Sequence, residues 1–396
     1  MLSQRQLFLN HLAQTSPTPL LLEIVSAEGI YLVDKAGKKY MDMISGIGVS
    51  NVGHRHPSVT KAIKEQVDQH LHVMVYGEFV QSPQVNLAQA LTKTLPEGLD
   101  STYLVNSGSE AIEGAIKLAK RYTGRSEIVS CKNAYHGSSH GALSLSGSEV
   151  FKENYRPLLP GIAHIRFGCI DDLDQITKHT AAFVVETVQG EAGVMVGSKA
   201  YWEAARQKCD ETGALLILDE IQCGFGRTGR FWAFEHYGIT PDVVVSAKGM
   251  GGGMPIGCFI ANRQLMNVFT ENPILGHITT FGGHPVSAAA SHATLETIIE
   301  EKLLEDVQEK MLLFHELLKD PAIKQIRSKG LMIALEFESY QVLKPIIDEA
   351  IQLGIITDWF LFNDHSMRLA PPLTITKQEI RLACETILKA IRKVTS

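Results

Sequence analysis

Short apolar runs alternate with amphipathic tracts along most of the chain. "ALLILD" (Ala214–Asp219) and "DVVVSA" (Asp242–Ala247) are almost wholly apolar. "STYLVN" (Ser101–Asn106), "EIVSCK", "AAFVVET" (Ala181–Thr187) and "GCFIAN" are similar. Runs of this kind suit strands covered on both faces, as in a parallel sheet flanked by helices. Between them, "SEAIEGAIKLAKRYTG" places Ala111, Ile112, Ala115, Ile116 and Ala119 at helical spacing, with Gly124 as a C-terminal cap. "AYWEAARQKCDETG" predicts an amphipathic helix ending at Gly213. Near the start, "GIYLVDKAGKKYMDM" predicts a hairpin turning at Lys35–Lys38. From about Val286 the texture changes. A long helical tract, Val286–Asp320, leads into "GLMIALEFE", then helix, strand and helix follow to the end. The pattern predicts a large α/β domain and a smaller α+β domain, with no internal repeat.

Composition narrows the function more than the fold. The chain has 396 residues, of which 45% are apolar, and a formal net charge of -6. It has no long Lys/Arg block, so neither nucleic acid nor an anionic membrane is expected as a partner. None of the six cysteines pairs with another at the spacing of a zinc site or a redox C-x-x-C. They are expected to be reduced core residues. The N-terminus lacks a signal-peptide-like apolar stretch, and no run approaches the ~18–20 apolar residues of a membrane span. The sequence reads as a soluble cytoplasmic protein.

Gly224, Gly226 and Gly229 spell G-x-G-x-x-G after an apolar run, which raises a dinucleotide loop as one reading. Its context does not fit. In a dinucleotide fold the first glycine follows the strand at once. Here Asp219, Glu220, Ile221, Gln222 and Cys223 intervene. The acid expected about twenty residues on, at the end of the next strand, is Asp242, which instead precedes its strand.

The intervening residues carry more chemistry. Asp219 ends a strand expected to be central, and cofactors of open α/β sheets gather at strand carboxyl ends. Lys248 ends another, followed by Gly249, Gly251, Gly252 and Gly253. Desolvation would turn such a lysine toward a nucleophilic amine. "NSGSEAIE" sets Asn106, Ser107, Gly108, Ser109 and Glu110 between strand and helix, a phosphate-holding arrangement or a simple cap. Glu186 and Glu191 flank a turn in "VETVQGEAGV". "HITTFGGHP" (His277–Pro285) is a polar loop, and Arg368 stands alone in apolar surroundings. An Asp, a Lys and a phosphate-holding helix N-terminus are the parts that pyridoxal phosphate requires.

These segments, with "YHG", "LDEIQCGFGRTGRFWAFEHYGITPDVVVSAKGMGGGMPIG" and "MRLAPPL", resemble in their order the motifs of class-III pyridoxal-phosphate-dependent aminotransferases, the family of the ornithine, acetylornithine and 4-aminobutyrate enzymes. The resemblance implies a fold-type-I architecture: an α/β domain with a seven-stranded mixed sheet, and a small α+β domain built from both chain ends. Residues 51–285 would form the large domain, and 1–50 with 286–396 the small one. It implies a homodimer moving an amino group from an ω-amine donor to 2-oxoglutarate by a ping-pong mechanism.

It also implies roles for individual residues. Lys248 would form the Schiff base and shuttle the proton. Asp219 would pair with the pyridinium nitrogen, and Gln222 with the ring hydroxyl. Gly108 and Ser109 would hold the phosphate, completed by Thr280 from the neighbouring subunit. Tyr135 would stack on one ring face and Ile221 pack on the other. His136 and Glu186 would stand behind the cofactor or serve the fold. Arg368 would bind the acceptor's carboxylate, and Glu191 would pair with Arg368 when the amine donor is bound.

Departures bear on the donor. Ornithine and acetylornithine enzymes typically read "HGR" where this chain has His136–Gly137–Ser138, and the N-terminal donor-binding Tyr of ornithine enzymes is absent around Pro17–Leu20. The stretch Asp358–Ser366 is unusual and leaves open a private substrate pocket or simple packing. An aminomutase, racemase or decarboxylase on the same fold, and a non-catalytic cofactor-binding protein, remain alternatives.

Overall fold

The structure is a computed structural model describing residues 2–395. The chain opens on β1 (Ile24–Glu28), β2 (Tyr31–Asp34) and β3 (Lys39–Asp42), an antiparallel meander. The β2–β3 turn lies where the sequence predicts it. Asp34 Oδ1 accepts from the Ala36 and Lys38 amides, both at 2.9 Å, in an Asx-type turn.

The central sheet contains β4 (Ser101–Val105), β5 (Glu127–Cys131), β6 (Ile162–Ile165) and β7 (Thr180–Glu186). After β7, β8 (Val188–Gln189) and β9 (Met195–Val196) form a small ribbon whose loop carries Glu191. The sheet resumes with β10 (Leu215–Asp219), β11 (Val243–Ser246) and β12 (Gly257–Ala261). Its order is β4-β12-β11-β10-β7-β5-β6, so β10 is the middle strand of seven. Only β12 runs against the others.

Side chains of β10 alternate between two cores. Leu216 and Leu218 join one, Leu215 and Ile217 the other. That division is what a sheet buried on both faces produces. Each such side chain contributes roughly 1.5–3 kcal/mol on burial, so the strand ends that carry the chemistry stand on a stiff base. The helices Gly108–Thr123 and Lys199–Thr212 end at Gly124 and Gly213, both left-handed, as their sequences predict.

A second four-stranded sheet follows, with β13 (Gln325–Lys329), β14 (Met332–Glu336), β16 (Asp358–Phe360) and β17 (Asn363–Leu369) in the order β13-β14-β17-β16. Just before β16, β15 (Ile355–Ile356) pairs in parallel with β3, joining the two ends of the chain. No helix among the described residues is long and apolar enough to cross a membrane.

Two of the features absent from the sequence reading have a clear physical reason. The tract Val286–Asp320 forms two helices, Pro285–Glu300 and Val307–Leu317. Lys302 takes a left-handed φ of 55° between them. The Leu303 amide donates to Ile298 O (3.1 Å) and the Lys302 amide to Ile299 O (3.2 Å). This is a Schellman closure with lysine in the position usually filled by glycine. The edge strand β6 is also absent from the sequence reading; "IAHI" is too short and mixed to signal itself.

Candidate active site

A cavity of about 780 Å³ opens at the carboxyl ends of β7, β10 and β11, with Asp219, Glu186 and Lys248 in its wall. Asp219 is the last residue of β10 and is buried. Its Oδ1 accepts from the Ile221 amide at 2.9 Å, and its Oδ2 lies 2.7 Å from His136 Nδ1. The other ring nitrogen, His136 Nε2, is buried without a hydrogen-bond partner. Glu186 stands beside Asp219 across the parallel β7–β10 pair. It accepts from the amides of Gly190 (3.0 Å) and Tyr135 (3.1 Å). Burial, and then the Asp219 charge, push its carboxyl well above the usual range. Two acids in one buried corner call for a cation there.

Lys248 follows β11 after one residue and takes a left-handed φ of 47°, a strained conformation for a lysine. Burial pulls its ammonium below the ordinary range, with Glu191 opposing and Arg368 adding to the effect. Gly108 and Ser109 are the first residues of the Gly108–Thr123 helix, whose leading amides have no carbonyl of that helix to bond. The Ser107 side chain takes the Glu110 amide (3.2 Å), leaving the two before it open to a ligand. At Gly108 a Cβ would meet Ile221 Cδ1 at 2.8 Å, so glycine lets the helix end and the Ile221 turn share one wall. The Ser109 hydroxyl is held by Ser139, whose amide donates to it at 3.1 Å. Ser139 was missed in the sequence. Tyr135 lines the cavity, and its hydroxyl lies 3.2 Å from Ser138 Oγ.

A second cavity of about 370 Å³ is bounded by Ile47, Glu191, Asp358, Trp359, Leu361 and Arg368. It shares Tyr135 and Lys248 with the first. Glu191 and Arg368, both buried, form a two-pronged pair: Arg368 Nη1 and Nη2 each donate to one Glu191 oxygen at 2.8 Å. Glu191 also accepts from Gln222 Nε2 (3.2 Å) and the Leu361 amide (3.1 Å). Burial pushes the Glu191 carboxyl up, but Arg368 outweighs it and holds it below the usual value. Asp358 Oδ1 lies 3.0 Å from Arg368 Nε. This second acid was not singled out in the sequence.

Every site residue expected from the sequence therefore lies on one of the two cavities except Thr280. Thr280 is exposed, near the exposed side chains of Ile278 and Phe281. Its neighbour Thr279 is the one that reaches this chain's own site, accepting from Asn106 Nδ2 at 3.0 Å.

The family model described as aminotransferase class-III matches residues 12–391. The chain is 36% identical over 387 residues to the acetylornithine aminotransferase of Methanopyrus kandleri, covering 96% of this chain and 97% of that one. Among solved structures it is similar to the ornithine aminotransferase of Toxoplasma gondii, described with partial occupancy of pyridoxal phosphate at its active site: TM-score 0.91, 28% identity, 98% and 93% of the two chains covered. It is likewise similar to an (S)-enantioselective omega-transaminase from Thermomicrobium roseum, with TM-score 0.91, 29% identity and 99% and 98% coverage. The chain belongs to the class-III aminotransferases and is a pyridoxal-phosphate-dependent transaminase.

Proposed function

We propose that this transaminase takes an amino group from an amine donor of the ω-amine class and delivers it to 2-oxoglutarate. One observation carries the reading: Lys248 and Asp219, at the ends of neighbouring strands, share a cavity with the open amides of Gly108 and Ser109. Amine, acid and helix N-terminus match the aldehyde, ring nitrogen and phosphate of pyridoxal phosphate. The two buried acids would suit a cationic ring nitrogen beside them.

When bound, pyridoxal phosphate supplies an electron-accepting ring conjugated to the substrate's amine carbon. The protein's residues do the rest. Lys248 binds the cofactor covalently and then moves the proton at the substrate Cα, a task its lowered pKa suits. Asp219, fixed by His136 and the Ile221 amide, would hold the proton on the cofactor's ring nitrogen. Gln222 would bond the ring hydroxyl, Tyr135 and Ile221 would enclose the ring, and Glu186 holds the Tyr135 amide. Arg368 takes the acceptor's carboxylate once Glu191 releases it. With an amine lacking that carboxylate, Glu191 stays in place and keeps the guanidinium neutralised.

Ser138, in place of an arginine, speaks against ornithine or acetylornithine as donor despite the name of the archaeal relative. We read residues 51–285 as the cofactor domain and 1–50 with 286–396 as the second domain. We also read the working unit as a cytoplasmic homodimer in which Thr280 reaches the partner's phosphate site. The exposed apolar side chains of Ile274, Leu275, Ile278 and Phe281 support a partner there.

The test is spectroscopic. Protein loaded with pyridoxal phosphate should absorb near the visible edge, and Lys248→Ala should lose that band. An amine donor should bleach it and 2-oxoglutarate should restore it. Absence of the band after cofactor addition overturns the cofactor site. Failure of 2-oxoglutarate to restore it overturns the acceptor.

A further inference from the structure

Arg368 lies on β17, between β14 and β16, and strand register brings Asp358 to it. β16 and β17 pair antiparallel with Asp358 directly opposite Arg368. Opposed residues of antiparallel strands share a face, with Cβ atoms about 4.5–5.5 Å apart. Phe360, two residues on, shares it too, and its ring centre lies 4.6 Å from the guanidinium carbon. The Trp359 carbonyl accepts from Nη2 at 3.2 Å. One three-residue strand thus meets the guanidinium at Nε and Nη2, while Glu191, on the β8–β9 loop, takes both Nη atoms. Asp358 Oδ1 is closed off from solvent and, at 3.0 Å from Nε, is not aligned as a hydrogen bond. The contact is one of charge.

We infer that Asp358 is a specificity-determining residue: a fixed second counter-charge on Arg368 that weakens the site for any substrate presenting a carboxylate to that guanidinium, relative to an amine that presents none. The inference rests on reading Arg368 as the carboxylate site. Glu191 sits on a loop and can give way to a substrate. Asp358 is set opposite Arg368 by the pairing of β16 with β17, at the edge of the sheet. An incoming carboxylate therefore adds a negative charge to a site that already holds two acids against Arg368, with Lys248 the other cation on the cavity. Asp358 repels that added charge wherever Glu191 moves.

The chemistry of Asp358 agrees. Its carboxyl is pushed up to about 6, by burial first and by Glu191 and Asp42 as well, against the pull of Arg368. An acid behaves so where burial outweighs the attraction of its one cationic partner. Allowing for screening at a side chain 28% exposed, removing its charge should tighten carboxylate binding about tenfold.

The experiment uses protein loaded with pyridoxal phosphate and glutarate, an unreactive dicarboxylate, titrated calorimetrically at about pH 8. Asp358→Asn keeps the shape and removes the charge; Asp358→Ala removes both; Arg368→Gln removes the guanidinium. Both Asp358 variants should bind glutarate about tenfold more tightly than wild type, and Arg368→Gln should bind it more weakly. In turnover, the ratio of the KM for 2-oxoglutarate to that for 1-aminobutane should fall in Asp358→Asn. A merely structural Asp358 would instead weaken glutarate in both variants. If neither variant tightens while Arg368→Gln weakens, the inference is overturned and the Arg368 reading stands. If Arg368→Gln leaves glutarate unchanged, the Arg368 reading falls and the inference with it.

Discussion

Replacing Glu191 by Gln should destabilise the protein at neutral pH, whereas replacing Asp358 by Asn, on the same guanidinium, should stabilise it. The two acids are displaced in opposite directions. Glu191 is held below the ordinary carboxyl value, so its charge favours the fold above the unfolded pKa, and that gain disappears as pH falls through the folded one. Asp358 is raised from 3.8 to about 6, so the fold disfavours its charge: the penalty is absent below about pH 4, grows to about pH 6 and is constant above. Two units correspond to about 3 kcal/mol. Solvent screening at a side chain 28% exposed reduces this to about 1–2 kcal/mol. Breaking a buried pair by removing one partner costs about 3–5 kcal/mol. Arg368 keeps Asp358 when Glu191 is lost, so about 2–3 kcal/mol is expected. The double variant strips Arg368 of both acids and should lose more than the sum of its parts. Urea midpoints at about pH 8 and about pH 4 measure these effects, with the Asp358→Asn gain gone at the lower pH. Effects of the same sign at pH 8, or a gain that persists in acid, would refute the assignment of Glu191 as the stabilising partner.

Gly108→Ala should fold, because the added Cβ meets the side chain of Ile221 and no backbone, at 2.8 Å from Cδ1 and 3.2 and 3.3 Å from Cγ2 and Cγ1. The displaced Ile221 should weaken pyridoxal-phosphate binding about tenfold in a fluorescence titration, a loss of about 1.4 kcal/mol. Lys302→Gly relieves a left-handed φ of 55° at an exposed helix end and should raise stability by about 1 kcal/mol, read as a higher urea midpoint. Of six free cysteines only Cys169 is not buried, so a thiol reagent should modify one rapidly in native protein and the rest only on unfolding. Several fast thiols would contradict the packing.

What was legible in the sequence was what local chemistry encodes. β10 and β11 announce themselves as apolar runs, and Asp219 and Lys248 stand out because a charge ends each. Gly124 and Gly213 mark helix ends because glycine is the usual left-handed cap. The end at Lys302 carries no such mark: its closure depends on Leu303 and Leu304 turning back into the core, which is tertiary information. Asp358 was hidden for a similar reason. Ten positions separate it from Arg368, and only the register of β16 against β17 makes them neighbours. An acid in a stretch reading "TDWFLFN" otherwise looks like an ordinary strand end.

The G-x-G-x-x-G spelling shows how one physical cause serves two ends. Glycine in a dinucleotide loop lets backbone approach a pyrophosphate. Here Gly226, at a φ of 86°, leaves room for Leu304 and Leu373, which a Cβ would meet at 2.6 and 2.7 Å. Arg227 beside it is fully buried. Its Nη2 donates to Asn51 Oδ1 at 2.6 Å, and its Nη1 to the carbonyls of Leu331 and Pro371. Burial, only partly opposed by the charge of Asp42, pulls its pKa down to about 10. The loop therefore ties β10 to segments from both ends of the chain, and its glycines approach protein rather than cofactor. The five residues from the strand's last position to the first glycine, which rule out a dinucleotide loop, include Asp219, Ile221 and Gln222, all of which line the cavity. The spacing that breaks one motif is what positions the other.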